Sequence, residues 1–319
     1  MLKNRFIQKQ LFKPLIVGMF LIPNLPTFAN EDNKVLIYAD RGGNFVERIQ
    51  NLSQRIAHHF GLETGVITGH GQRDQVTNQL GLSYHLLTTN PTLEGTIDRN
   101  RYQVADGISF DYERLNNDGI RRLRHTIQDI RDHYKPNEKY ITVYINPRPH
   151  LHGQFSAQLQ RNLQEFENMS EGKVRLLIPA YTLIPAGKFG NHGRVRGVNP
   201  RHVIQFTHYL RDHHPNLKYR LIFGVRSPDN NELRQRFKQD LARFSTEASH
   251  HNELPFALYH GCNSDHYEVT RGMIDEIHDH YGQPWLQDNN ESSSSSSSES
   301  NDTENDSSDT NDSDSDNDS

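Results

Sequence analysis

The stretch DGISFDYERLNNDGIRRLRHTIQDIRDHYKPNEKYITVYIN, residues 106–146, sets one helical run between two β-rich runs. Residues 107–112 carry Ile108, Phe110 and Tyr112 at every second position, the alternation of a strand. From 117 to 134 the period changes. Ile120, Leu123, Ile127 and Ile130 recur at threes and fours, the spacing of one helix face. Residues 140–146 return to β-branched and aromatic side chains. A strand, a helix and a second strand in this order form a unit whose strands run parallel.

The same alternation extends in both directions. Strands are predicted at 34–40, 65–69 and 84–89 before this unit, and at 174–181, 219–226 and 256–261 after it. Helices are predicted at 44–60, 71–80, 155–169, 200–214, 229–247 and 266–281; in 155–169, Phe155, Leu159, Leu163 and Phe166 mark the apolar face. Eight strands alternating with helices over about 250 residues predict a single (β/α)8 TIM-type barrel, with a doubly wound open α/β sheet as the alternative. Gly42-Gly43 after the first strand lacks the spacing of a dinucleotide or P-loop turn.

Both ends differ from this middle. Residues 1–29 join a basic start (Lys3, Arg5, Lys9, Lys13) to an apolar stretch and to Thr27-Phe28-Ala29, the pattern of a signal peptide cleaved after Ala29. A secreted or periplasmic location is expected, with no membrane attachment after cleavage. Residues 288–319 are Ser, Asp, Asn and Glu with almost nothing apolar, so a disordered acidic tail is expected. The domain is then 30–287, with 31 basic and 29 acidic residues. Near-neutrality argues against a nucleic-acid binder and is compatible with an uncharged ligand such as a sugar. Cys262 is the only cysteine, so no internal disulfide exists and a domain of this size must hold itself by burial.

Within 106–113, Ser109, Asp111 and Glu113 share one strand face and would point into a barrel, while Ile108, Phe110 and Tyr112 would pack on the outer helices. Two carboxylates at the carboxyl end of a barrel strand stand where such enzymes place catalytic groups. Crowding raises the pKa of one, which can then act as a general acid. The same residues also suit the solvated start of a loop.

The run D-G-I-S-F-D-Y-E resembles the D-x-x-D-x-D-x-E signature of glycoside hydrolase family 18, the chitinases and endo-β-N-acetylglucosaminidases, which lies on the fourth strand of a (β/α)8 barrel. Asp106, Asp111 and Glu113 match; Ser109 stands where the family has Asp. The resemblance implies hydrolysis of a glycan containing N-acetylglucosamine, as in chitin or an N-glycan core. Glu113 would protonate the glycosidic oxygen. The substrate's own acetamido oxygen would attack the anomeric carbon, a recognised exception to the two-carboxylate rule. Asp111 would orient the acetamide and stabilise the developing charge, and Tyr181, at the end of the sixth strand, would hydrogen-bond its carbonyl. Leu221-Ile222-Phe223-Gly224 matches the aliphatic run ending in Gly on the family's seventh strand. No metal or cofactor is required. Three departures accompany the match: Ser109 removes a carboxylate beside Asp111, Thr182 replaces a common Asp, and Tyr259 stands where a Trp forms the floor of the sugar site. They leave a non-catalytic glycan-binding barrel as a second reading.

Histidine is abundant, with 19 residues. His58-His59, His213-His214, His250-His251, His278 and His280 fall on helices or beside charges and are expected at the surface. Asp40, His150, His152, His260 and Asp265 follow strands and could build a metal-dependent hydrolase, the third reading, although no metal-binding motif joins them. Asn146, His150 and Arg226 are candidates to hydrogen-bond a sugar, and Tyr259 to stack on one. The expectation is a glycosidase acting as a monomer, with Glu113 and Asp111 as catalytic residues and Tyr181, Ser109, Asp106, Asn146, Arg226 and Tyr259 in contact with substrate.

Overall fold

Eight strands form a closed, wholly parallel barrel in sequence order: β1 Val35–Ala39, β2 Thr64–Thr68, β3 Ser83–Thr88, β4 Gly107–Asp111, β5 Tyr140–Tyr144, β6 Val174–Tyr181, β7 Lys218–Gly224 and β8 Ala257–His260. β8 closes on β1, with Leu36 opposite Ala257 and Tyr38 opposite Tyr259. The computed structural model describes residues 31–39, 44–88, 99–111, 117–133, 139–145, 157–170, 174–182, 199–224, 231–260 and 264–281. The predicted signal peptide, the Ser- and Asp-rich segment 288–319 and Cys262 lie outside these residues.

Among the described residues, these α-helices alternate with the strands: α1 Phe45–Phe60, α2 Arg99–Gln103, α3 Asn117–His133, α4 Ala157–Ser170, α5 Pro200–His213, α6 Asn231–Glu247 and α7 Ser264–Tyr281. Their apolar stripes are those in the sequence. α1 buries Phe45, Ile49, Leu52, Ile56 and Phe60; α3 buries Leu123, Ile127 and Ile130, and α4 Leu159, Leu163 and Phe166. Each large apolar side chain so covered contributes about 1.5–3 kcal/mol. Caps mark the ends. Asn199 accepts the Arg201 N–H at 3.0 Å ahead of Pro200 in α5. Gly61, with φ +67°, ends α1 and donates to Ala57 O at 2.9 Å.

The helix predicted at 71–80 is a correction. The segment is a 3-10 turn, His70–Gln72, followed by a π-helical stretch, Gln75–Gln79. Val76 is its one buried residue, so no apolar stripe holds a regular α-helix against the sheet. The short helix α2 was not foreseen.

Side chains of Leu36, Ile67, Tyr140, Tyr144, Leu177, Ile222 and Ala257 form one buried cluster. They come from strands on opposite sides of the ring, and only the barrel interior brings those together. Below this cluster, at the amino ends of the strands, residues 31–34 plug the barrel with charge. Asp32 accepts from Arg175 through two bonds of 2.8 and 2.9 Å, from the Tyr140 hydroxyl at 2.9 Å and from Lys218 at 3.1 Å. Glu31 accepts from Lys34 at 2.6 Å and Ser83 at 3.1 Å, and meets His85 Nε2 at 2.8 Å. Arg220, fully buried, donates to the carbonyls of Glu31, Asp32, Lys34 and Pro255 and to the Tyr140 hydroxyl. Burial alone would raise the Glu31 carboxyl; hydrogen bonds and charge from His85 and Lys34 outweigh it and bring it down to about 2. Burial would likewise raise Asp32, but Arg175, Lys218 and Arg220 hold it low. Gly107 makes room for this floor: a Cβ there would stand 2.3 Å from His85 Nδ1.

One of the histidines expected at the surface is corrected, and two more are only partly exposed. His214 is buried and meets Glu167 at 2.9 Å. His250 meets the nearly inaccessible carboxylate of Glu253 at 2.5 Å, and the Tyr281 hydroxyl donates to the same carboxylate. His59 shares Asp275 with Arg55. Glu167 on α4 holds His214 and Asp275 on α7 holds His59, whereas Glu253 lies in the same connection as His250, three residues further on.

Candidate functional site

Among the described residues, the opposite end of the barrel, where the strands finish, carries phenols and one carboxylate. Asp111 is the last residue of β4 and is half-buried. Alternation along the strand sends it inward, and the Tyr38 hydroxyl of β1 donates to its Oδ2 at 3.2 Å across the barrel. Tyr144 of β5 is paired with Asp111 in register. The Tyr38 ring lies 5.5 Å from that of Tyr259 on β8, and Tyr259 lies 5.6 Å from Tyr181 at the end of β6, both pairs tilted. Tyr38, Tyr259 and Tyr181 thus form a continuous wall, partly buried on the interior cluster. Burial pushes the Tyr181 phenol well above its ordinary value, and Tyr144, Tyr259, Tyr38 and Asp111 push in the same direction. Tyr181 therefore keeps its proton at neutral pH and offers a donor.

Asp111, Tyr181 and Tyr259 therefore meet at one end of the barrel, on three different strands. Ser109 lies one pleat below Asp111 and is buried, opposite Leu87 in register. Asp106 is a correction. It precedes β4 at the floor end, and its Oδ2 accepts the Tyr84 backbone N–H at 2.8 Å, so it ties β4 to β3 and does not reach the mouth. Thr182 is buried, and its N–H donates to Gly224 O at 3.1 Å. Glu113, Asn146, Arg226, His150, His152 and Asp40 lie outside the described residues, as do the side chains of His260 and Asp265. Among the described residues no group of three or more His, Cys, Asp or Glu is placed to hold a metal ion, and no helix is long and apolar enough to cross a membrane.

Tyr38 and Tyr144 were missed in the sequence. Their signal was the pleat: each stands two residues before a strand-end candidate, Asp40 and Asn146, and so on the same face. The floor was missed too. Arg175 and Arg220 interrupt otherwise apolar strands, and a charge in such a place requires a buried partner.

Fold and mouth together define an α/β protein of the (β/α)8 class whose interior polar groups divide between a charged floor and a phenolic mouth. No protein family matches the chain, and no curated protein matches it. Among solved structures it is similar to the YdjI aldolase from Escherichia coli K12, with a TM-score of 0.40 and 9% identity over 80% of this chain and 93% of that one. The closed parallel barrel is by itself compatible with an enzyme and specifies no reaction.

Proposed function

We propose that the protein is a glycoside hydrolase acting on glycans that contain N-acetylglucosamine. The observation that supports this reading best is the convergence of Asp111, Tyr38, Tyr181 and Tyr259 at the carboxyl ends of four strands. Aromatic faces pack against the apolar face of a sugar ring, and a carboxylate fixed by a phenol donor suits a positive charge developing at the anomeric centre. In this reading Glu113, two residues beyond Asp111, protonates the leaving oxygen. The acetamido oxygen displaces it at the anomeric carbon, and water opens the resulting oxazolinium ion. Asp111 holds the acetamide nitrogen, and the Tyr181 hydroxyl donates to its carbonyl. The reading carries with it an exported monomer whose partner is the glycan.

Ser109 favours a second reading, a barrel that binds such glycans without cleaving them, because the position below Asp111 holds a hydroxyl and no carboxylate. One experiment separates the two. Fluorogenic chitooligosaccharide is incubated with wild type, with Glu113→Gln and with wild type in EDTA. Release by wild type alone, unchanged by EDTA, is the expected result. Glycan binding without release by either protein selects the binding barrel. Release lost in EDTA points to metal-dependent chemistry, and release by Glu113→Gln at the wild-type rate removes the assignment of the acid.

A further inference from the structure

We infer that Gly224, the last residue of β7, is a positioning residue that seats Tyr181 in the tyrosine wall. The inference rests on the glycan reading for its functional meaning, and on geometry for its substance. Gly224 is buried in a strand and its φ lies outside the left-handed region, so the backbone does not demand glycine there. A glycine inside a strand also forgoes packing and costs chain entropy. Space accounts for it. A Cβ at 224 would lie 2.9 Å from Cδ1 and 3.1 Å from Cε1 of the Tyr181 ring, and 3.1 Å from Tyr259 Cβ. The methyl would be caught between the two.

Three fixed points prevent an easy escape. Tyr259 Cβ is bonded directly to the β8 backbone and cannot swing. Tyr181 and Gly224 are paired in register across β6 and β7. The Thr182 N–H donates to Gly224 O at 3.1 Å, so the backbone of 224 cannot back away. The Tyr181 ring is the part that must move. That ring packs on Tyr259, Tyr259 packs on Tyr38, and Tyr38 donates to Asp111. Bulk at 224 therefore shifts a wall that ends at the carboxylate, without touching the carboxylate itself.

The test is a double-substitution cycle in the full chain with Gly224→Ala, Tyr181→Ala and the pair. Two readouts are taken, kcat and KM on fluorogenic chitooligosaccharide and the near-ultraviolet circular dichroism of the tyrosines. Gly224→Ala is expected to lower kcat at least tenfold and to change the tyrosine signal. Added to Tyr181→Ala, it is expected to change either readout less than twofold, because the ring it displaces is gone. Equal effects in both backgrounds overturn the inference, since a general loss of packing acts whether or not Tyr181 is present. If Gly224→Ala alone does not fold, the pair is expected to fold; failure of the pair as well overturns it. A wild type that neither binds nor cleaves glycans ends the glycan reading, and the spectroscopic cycle then decides the role of Gly224. A wild type that cleaves, with Gly224→Ala unchanged in both readouts, ends the inference and leaves the glycan reading standing.

Discussion

Asp111 and Tyr38 share a hydrogen bond across the barrel mouth, and the two ends of that bond carry different consequences. Under the glycosidase reading the carboxylate holds the reacting acetamide, so Asp111→Asn is expected to lower kcat on fluorogenic chitooligosaccharide by about 100-fold or more. Tyr38→Phe removes a single donor and keeps the ring in the wall. A hydrogen bond to a charged group contributes about 1.5–3 kcal/mol to stability, so the unfolding free energy is expected to fall by up to that amount, read from urea denaturation, and kcat/KM to fall with it because Asp111 loses a donor that orients it. Of the candidate residues, Asp111 was legible because strand alternation plus position at a strand end is enough to place it, while Tyr181 and Tyr259 were placed through the family resemblance and the order of the strands. Asp106 was misplaced because proximity in sequence to Asp111 hides a full strand length in space. Tyr38 was invisible as a partner because its contact with Asp111 spans 73 residues, and local pattern carries no such information.

At the scale of elements, the strands were legible almost to the residue, since β-branched runs between helical periods leave few alternatives. The exception, 71–80, is a segment where polar residues fall on every face and tertiary packing has little to grip. Two elements carry their own predictions. Asn199→Ala removes the cap of α5 and is expected to cost about 1 kcal/mol of unfolding free energy, read from urea denaturation. Gly107→Ala drives a methyl into the His85 ring, whose neighbours are also fixed. Overpacking of a filled core costs about 1–3 kcal/mol, and the urea midpoint should fall accordingly with no change of slope.

Across the whole molecule, stability is tied to the floor. Asp32→Ala leaves the buried Arg175 without its carboxylate and is expected to cost about 3–5 kcal/mol by urea denaturation. The pH profile follows from two groups of opposite sign. Glu31, lowered to about 2, contributes stability that is present above its ordinary value of 4.5 and is lost as pH falls from there towards 2, about 3 kcal/mol in all. His250 is raised by its hydrogen bond to Glu253, against the effect of burial. Its stabilisation is present below its ordinary value of 6.5 and is lost as pH rises through the higher folded value. Thermal melting against pH should therefore decline at both limits, and His250→Gln should remove the sensitivity at the alkaline limb alone. The floor also has a history in time. Asp32 waits for Arg175, 143 residues further on, and for Arg220, whose bond to the Asp32 carbonyl spans 188 residues. At roughly 5–20 residues per second of synthesis, that is an interval on the order of ten to forty seconds. Glu31 meets Lys34 and His85 early, but for most of that interval the Asp32 carboxylate lacks its arginine, and one edge of β1 stays unmatched throughout, because β8 emerges later still. The earliest-made strand of this barrel is the last to be enclosed.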